Sequence, residues 1–150
     1  MKHLSAIYLI ENQSLKKYKM ATIGYSGKPV WQKLGIKETT RIKLVAAPIE
    51  YAQIIESPFP LHVVKSGTVD IAHCFVKTQD ELKRVFLELS KEITEGGCIW
   101  VSWYKKSAGI PTDITEDRIR DIILPTGWVD VKVCAVSEQW SGLKIVRRKK

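Results

Sequence analysis

A chain of 150 residues has the length of one domain and buries a core without needing disulfides or metals. No apolar run approaches the roughly 18 residues that cross a bilayer, which excludes a membrane-spanning helix. The formal charge of +8 suggests nucleic acid until it is divided along the chain. Lys2, Lys16, Lys17 and Lys19 against Glu11 charge the first 20 residues, and Lys144, Arg147, Arg148, Lys149 and Lys150 charge the last seven. The stretch between holds fifteen basic and fifteen acidic side chains. Basic ends hold phosphates weakly and without base readout, so any nucleic-acid binding is expected to be weak and confined to the termini.

Residues 1–20 read as a loose N-terminal extension, residues 21–148 as a single α/β domain, and residues 149–150 as a basic tail. Lys2 and the run Leu4 to Ile10 have the charge of a signal peptide. The run is short, stops at Glu11-Asn12-Gln13 and offers no small-residue cleavage site, so a cytoplasmic protein is expected. Gly24-Tyr25-Ser26-Gly27 is a turn-rich loop. Pro29 to Leu34 follows as a short helix, with Pro at an early position, Gly35 at its end, and Val30, Trp31 and Leu34 on one face. Arg41 to Ala47 is the first core strand, stopped by Pro48, and Glu50 to Glu56 makes about two helical turns before Pro58 and Pro60.

Leu61 to Lys65 is a second extended run, and Ser66-Gly67-Thr68 leads into the strand Val69 to Val76. Three linking residues reach at most about 10 Å, too little to return the chain along a strand, so the two runs are not consecutive parallel neighbours. Either one is antiparallel or Leu61 to Lys65 is a short edge piece. Asp80 to Ile93 is a helix: Thr78 and Glu81 form a capping box, Leu82, Val85, Phe86, Leu89 and Ile93 form one stripe, and Gly96-Gly97 supply the stop.

Cys98 to Tyr104 is too apolar for either face to meet water, which makes it the central strand of a parallel sheet. After a polar loop, Asp113 and Glu116 read as a second cap, opening a helix through Ile119, Ile122 and Ile123 to Pro125. Val129, Val131, Val133 and Ala135 alternate with polar residues as a half-buried strand. Ser137 to Gly142 turns it back into Leu143 to Arg148, closing an antiparallel hairpin.

Cys74, Cys98 and Cys134 each fall inside a strand, widely spaced, as reduced core thiols do. No ligand cluster of the kind zinc requires is visible, so no metal is expected. The loop after the central strand is the candidate site. Lys105, Lys106 and Ser107 leave the carboxyl end of that strand, and Thr112 and Asp113 stand at the next helix start, where open sheets and helix N-termini receive anions. Tyr25 and Ser26 are a possible lid over the same end. Trp100 and Trp103 point to opposite faces of their strand, while Trp140, read in the hairpin turn, is the possible exposed partner anchor. His73, among Ile71, Ala72, Cys74 and Phe75, reads as a hydrogen-bonded core histidine. No catalytic residue is assigned.

The element order from the Val69 strand onward, together with Leu34-Gly-Ile-Lys-Glu-Thr-Thr-Arg-Ile-Lys-Leu-Val leading into the first strand, resembles the class I methyltransferase fold. That implies a shortened Rossmann-like three-layer sandwich, with a mostly parallel sheet and a C-terminal antiparallel hairpin. The phrases Gly24-Tyr-Ser-Gly-Lys-Pro, Trp100-Val-Ser-Trp-Tyr-Lys-Lys-Ser-Ala-Gly-Ile-Pro-Thr-Asp-Ile-Thr-Glu-Asp and Val129-Asp-Val-Lys-Val-Cys-Ala-Val-Ser-Glu-Gln-Trp-Ser-Gly-Leu-Lys resemble a family of small bacterial proteins that carries a domain of unknown function. The match runs over about residues 24–147 and implies no activity.

The methyltransferase resemblance implies S-adenosylmethionine held over a glycine-rich turn after the first strand. Here that turn is Ala46-Ala47-Pro48-Ile49. Lys65 and Ser66 stand where the acidic residue for the ribose is expected, and Lys77-Thr78 stands at the catalytic motif, so no cofactor is expected. Site rather than fold decides function. The leading expectation is a non-catalytic binding or regulatory module that recognises an anionic small molecule or an acidic partner surface. Alternatives are an S-adenosylmethionine-dependent methyltransferase or other transferase with a degenerate cofactor site, and weak nucleic-acid binding through the termini.

Overall fold

The computed structural model describes residues 27–149; the expected extension over residues 1–20 and the Tyr25–Ser26 lid lie outside them. In chain order the elements are α1 (Val30–Lys33), β1 (Arg41–Val45), α2 (Tyr51–Ile55), β2 (His62–Val63), β3 (Val69–Phe75), α3 (Gln79–Leu89), β4 (Ile93–Tyr104), α4 (Glu116–Ile123), β5 (Trp128–Ala135) and β6 (Trp140–Arg147). The strands form one sheet in the order β2-β1-β3-β4-β6-β5. β2, β1, β3 and β4 run parallel, and β6 pairs antiparallel with both β4 and β5.

Strict alternation along β4 builds the three layers. Ile99, Val101 and Trp103 join Leu82, Phe86 and Leu89 of α3 and Ile119 and Ile123 of α4 on one face. Cys98, Trp100 and Tyr104 join Val30 of α1 and Tyr51 and Ile55 of α2 on the other. A strand buried on both faces has no polar side to present, which is why its sequence is nearly unbroken apolar. Trp100 anchors its layer by donating from Nε1 to the Leu34 carbonyl at 3.1 Å, the partner a buried indole requires.

The run Leu61 to Lys65 resolves as a short edge piece. β2 has two residues and lies parallel to β1, on the side away from β3. Residues 64–68 therefore pass beneath the start of β1. There Val64 N–H donates to the Ile42 carbonyl and Arg41 N–H to Asp70 Oδ2 at 2.8 Å.

Four local expectations are corrected. The first concerns Gly96-Gly97, which does not end α3: the helix stops at Leu89, and Arg147 donates to the carbonyls of Ser90, Ile93 and Thr94 beyond it. Both glycines lie inside β4, where five residue steps from Ile93 to Cys98 face two on β3 from Val69 to Ile71. Such a bulge needs backbone approach; a Cβ on Gly97 would lie 2.7 Å from the Asp70 carbonyl oxygen. The second is Ile93, which belongs to β4 rather than to the helix stripe.

The third is the cap of α4, which is Thr115, whose Oγ1 accepts from Arg118 N–H at 3.2 Å; Asp113 is too far upstream. The fourth is Trp140, which opens β6 at 5% exposure. The hairpin turns earlier than expected, because Val136 and Ser137 N–H both donate back to the Trp140 carbonyl.

Candidate functional site

The carboxyl ends of β1, β3 and β4 open onto one edge of the sheet. Because β6 runs antiparallel to β4, with Tyr104 opposite Trp140, the β5–β6 turn reaches the same edge, and Lys105 N–H donates to the Gln139 carbonyl at 2.8 Å. The edge thus collects the turn after β1, the loop after β4 and the hairpin tip.

The turn after β1 carries a strained residue. Ala46 has φ 57°, a left-handed conformation that costs about 1–2 kcal/mol for a residue with a Cβ and that glycine adopts without penalty. Ala46 is exposed, and Ile49, three residues on, is fully exposed. The glycine-free turn therefore bends with the backbone hand a glycine would supply.

Behind the edge stands an aromatic wall. Trp140 stacks on Tyr104 at 3.9 Å between centroids and meets Phe75 edge-on at 4.9 Å. This packing is what removes Trp140 from the surface, and it replaces the exposed partner anchor with a buried support for the site. Beneath Phe75, Tyr51 OH lies 2.9 Å from His73 Nδ1, and His73 Nε2 lies 2.8 Å from Ser102 Oγ. His73 and Ser102 are both fully buried. Burial lowers the His73 pKa to about 3, and it pushes the Tyr51 phenol above its ordinary value. A serine–histidine pair without solvent access holds a neutral imidazole between two hydroxyls, as the core reading of His73 expects.

In the loop after β4, Lys106–Ala108 make one 3-10 turn ended by Gly109. Lys106 and Ser107 are exposed and Lys105 is half-buried. Thr112 and Asp113 turn away from them toward α3. Thr112 Oγ1 donates to the Lys77 carbonyl at 2.7 Å, Asp113 Oδ1 accepts from Gln79 N–H at 2.8 Å, and Gln79 Nε2 donates to the Asp113 carbonyl at 3.0 Å. Thr78 Oγ1 accepts from Glu81 N–H, and Glu81 Oε1 from Lys77 N–H. The start of α3 is thereby filled by the chain's own acceptors. Thr112 and Asp113 brace the loop; Lys105, Lys106 and Ser107 keep the open position.

A group at the same edge escapes sequence reasoning. Lys33 Nζ donates to the Ala135 carbonyl at 2.8 Å, and Lys132 Nζ donates to the Lys33 carbonyl at 3.2 Å. The first bond sets the Lys33 ammonium on the end of β5, and the second sends the Lys132 ammonium from β5 to α1. Lys105 joins them: the charges of Lys33, Lys132 and Lys105 all pull the Cys134 thiol pKa down, although burial wins and holds it above its ordinary value. Burial and the neighbouring ammoniums of Lys105 and Lys132 lower the Lys33 pKa, against the opposing pull of Cys134. Burial lowers that of Lys105, against the pull of the Glu138 carboxylate and of Cys134. The residues come from three separate elements, so no local pattern announces them. Among the described residues no group of three His, Cys, Asp or Glu side chains could hold a metal ion, and no helix is long and apolar enough to cross a membrane.

Among solved structures the chain is similar to ribosomal protein L11 methylase from Lactobacillus delbrueckii subsp. bulgaricus. The TM-score is 0.54 at 12% identity, covering 80% of this chain and 75% of that one. An S-adenosylmethionine-dependent methyltransferase from Clostridium acetobutylicum matches with a TM-score of 0.53 at 8% identity, over 93% of this chain and 100% of the other. DhpI in complex with SAH gives 0.53 and 8%, over 93% and 94%. The chain has a methyltransferase-type, Rossmann-like fold. Identities this low extend the likeness to the fold alone, and no family model and no curated protein matches the sequence. An S-adenosyl group tested against this edge meets a turn of suitable backbone hand at Ala46. Lys65 and Ser66 leave β2 beside the start of β1, at the opposite edge of the sheet, and so supply nothing to such a group.

Proposed function

We propose that this protein is a methyltransferase-like domain that binds S-adenosylmethionine or a related adenosyl compound at the carboxyl edge, through a reduced site. The observation that carries the reading is the left-handed backbone at Ala46. Strain held at an exposed turn is maintained by the surrounding structure and concentrates where ligands are handled. Open sheets take their ligands at this edge. The backbone of Ala46 and Ala47 would lie under the adenosyl group, and the sulfonium would supply an activated methyl. β2 ends beside the start of β1 and brings no carboxylate to the carboxyl edge, so the ribose hydroxyls lack an acceptor from it and binding is expected to be weak. Catalytic residues are not assigned. Equilibrium dialysis of the full chain against S-adenosylmethionine tests the reading: saturable one-to-one uptake supports it, and uptake strictly proportional to free ligand overturns it.

A second reading rests on a different observation, the open position of Lys105, Lys106 and Ser107 at the end of β4. In it the domain is a non-catalytic module that recognises an anionic small molecule or an acidic partner through this loop. Thr112 and Asp113 serve as its brace.

A further inference from the structure

A groove between α3, α4 and the start of β5 opens at the end of the sheet opposite the candidate site. α3 starts at the carboxyl edge and runs away from it, and β6 does the same, so Ser90, Trp128 and Arg147 lie near the amino ends of the parallel strands. The groove holds about 350 Å³. Phe86 and Trp128 are buried beneath it, edge to face at 5.5 Å between ring centroids. Ile122 of α4 and Leu87 of α3 complete its apolar lining, and Leu87 is 61% exposed. A concave apolar surface between two helices, with aromatic rings under it, is suited to receive a side chain.

Its polar groups are of one sign. Ser90 Oγ donates to the Leu87 carbonyl and Thr126 Oγ1 to the Ile123 carbonyl, so both hydroxyl protons are committed within their own turns. Lys83 is the one charged group in the lining; it is exposed and has no partner among the described residues. Beside Trp128, the Arg147 guanidinium lies 4.7 Å from the indole ring. Arg148 N–H donates to the Gly127 carbonyl at 2.9 Å, which brings the exposed Arg148 and Lys149 to the same end.

We propose that this groove docks an acidic segment of a partner protein, which seats one large apolar side chain over Phe86 and Trp128 and sets its carboxylates against Lys83 and Arg148. Charge decides among the occupants. A second copy would bring the same basic groups against themselves. The segment before residue 27 carries Lys2, Lys16, Lys17 and Lys19 against Glu11 alone, so it is repelled as well. A lipid surface needs apolar side chains that project, and in this lining Leu87 alone is both apolar and exposed.

Titration of the full-length protein with the peptide Asp-Glu-Asp-Leu-Phe-Asp-Glu-Asp at low ionic strength, followed by amide and indole NMR shifts, tests the proposal. Saturable shifts are expected at Leu87, Ser90 and the Trp128 indole. Leu87→Asp and Lys83→Glu should each weaken binding about fivefold or more, the loss of an anchor contact or of a facing charge. Both positions are exposed, and unchanged shifts elsewhere verify the fold. Lys83→Glu should also bind the Lys-flanked peptide Lys-Lys-Lys-Leu-Phe-Lys-Lys-Lys more tightly than the wild type does, a gain that misfolding cannot mimic. Equal binding of an acidic peptide with Ser in place of Leu-Phe, with shifts confined to residues 144–149, would reduce the effect to the basic terminus and overturn the proposal. Groove shifts that follow dilution of the protein alone would assign the groove to a second copy. A response to phosphatidylglycerol vesicles without one to the peptide would assign it to a membrane. Either result, or no saturable binding of the peptide, would overturn the proposal.

Discussion

His73 Nε2 lies 2.8 Å from Ser102 Oγ, and the other ring nitrogen, Nδ1, lies 2.9 Å from the Tyr51 hydroxyl. Burial lowers the imidazole pKa from its ordinary 6.5 to about 3, so between those values the unfolded chain binds a proton that the folded chain refuses. Stability then rises with pH through this window, is fully present above the unfolded value, and is lost as pH falls below it. The single-site slope is about 1.4 kcal/mol per pH unit, giving a loss of about 2 kcal/mol between pH 7.5 and 5. Urea unfolding of wild type and His73→Gln at both pH values isolates the contribution, because the variant should lack that part of the decline. Equal pH dependence in the two proteins would contradict the assignment.

Asp113 and Thr115 cap different helices: the first accepts from Gln79 at the start of α3, the second from Arg118 at the start of α4. Asp113→Ala and Thr115→Ala are each expected to cost about 1 kcal/mol. Their effects should add in the double variant, since the two caps share no partner. Denaturant melts of the four proteins read the sum, and a double variant no worse than either single would return both residues to one cap.

Gly97 sits where a methyl group has no room, with the Asp70 carbonyl oxygen and Ile93 Cγ2 each 2.7 Å from an added Cβ. Gly97→Ala should lower the unfolding free energy by about 1–3 kcal/mol, as overpacking does. An unchanged denaturation midpoint would show that the bulge shifts freely.

Most of the fold was legible because its signals are local. The alternation that sends Trp100 and Trp103 to opposite faces, the capping box at Thr78 and the reach limit on residues 66–68 each depend on a few neighbouring residues. The corrections share one cause. Gly96-Gly97 has the composition of a helix stop and serves as a strand bulge, since Arg147, 50 positions after Gly97, already satisfies the carbonyls past α3. Asp113 has the spacing of a cap and is drawn to another helix by Gln79. Trp140 sits beside a turn and is buried by Phe75 and Tyr104, from two other strands. At the candidate site Lys105 was readable from its place after the central strand, whereas Lys33 and Lys132 meet it only through the tertiary fold.

Ala46 carries the central claim, that a turn of glycine-like hand survives after β1. Ala46→Gly should raise stability by about 0.5–1 kcal/mol, the relief of left-handed strain less the added entropy of an unfolded glycine. Ala46→Val should resist the conformation, because a β-branched residue is least tolerant of positive φ. The most direct measurement is calorimetric titration of S-adenosylmethionine into the wild type and these two variants. The expected result is binding in Ala46→Gly at least as tight as in the wild type, and binding in Ala46→Val weaker by about tenfold as the competent turn becomes a minor state. Equal affinities in all three proteins, or no binding in any, would contradict the account.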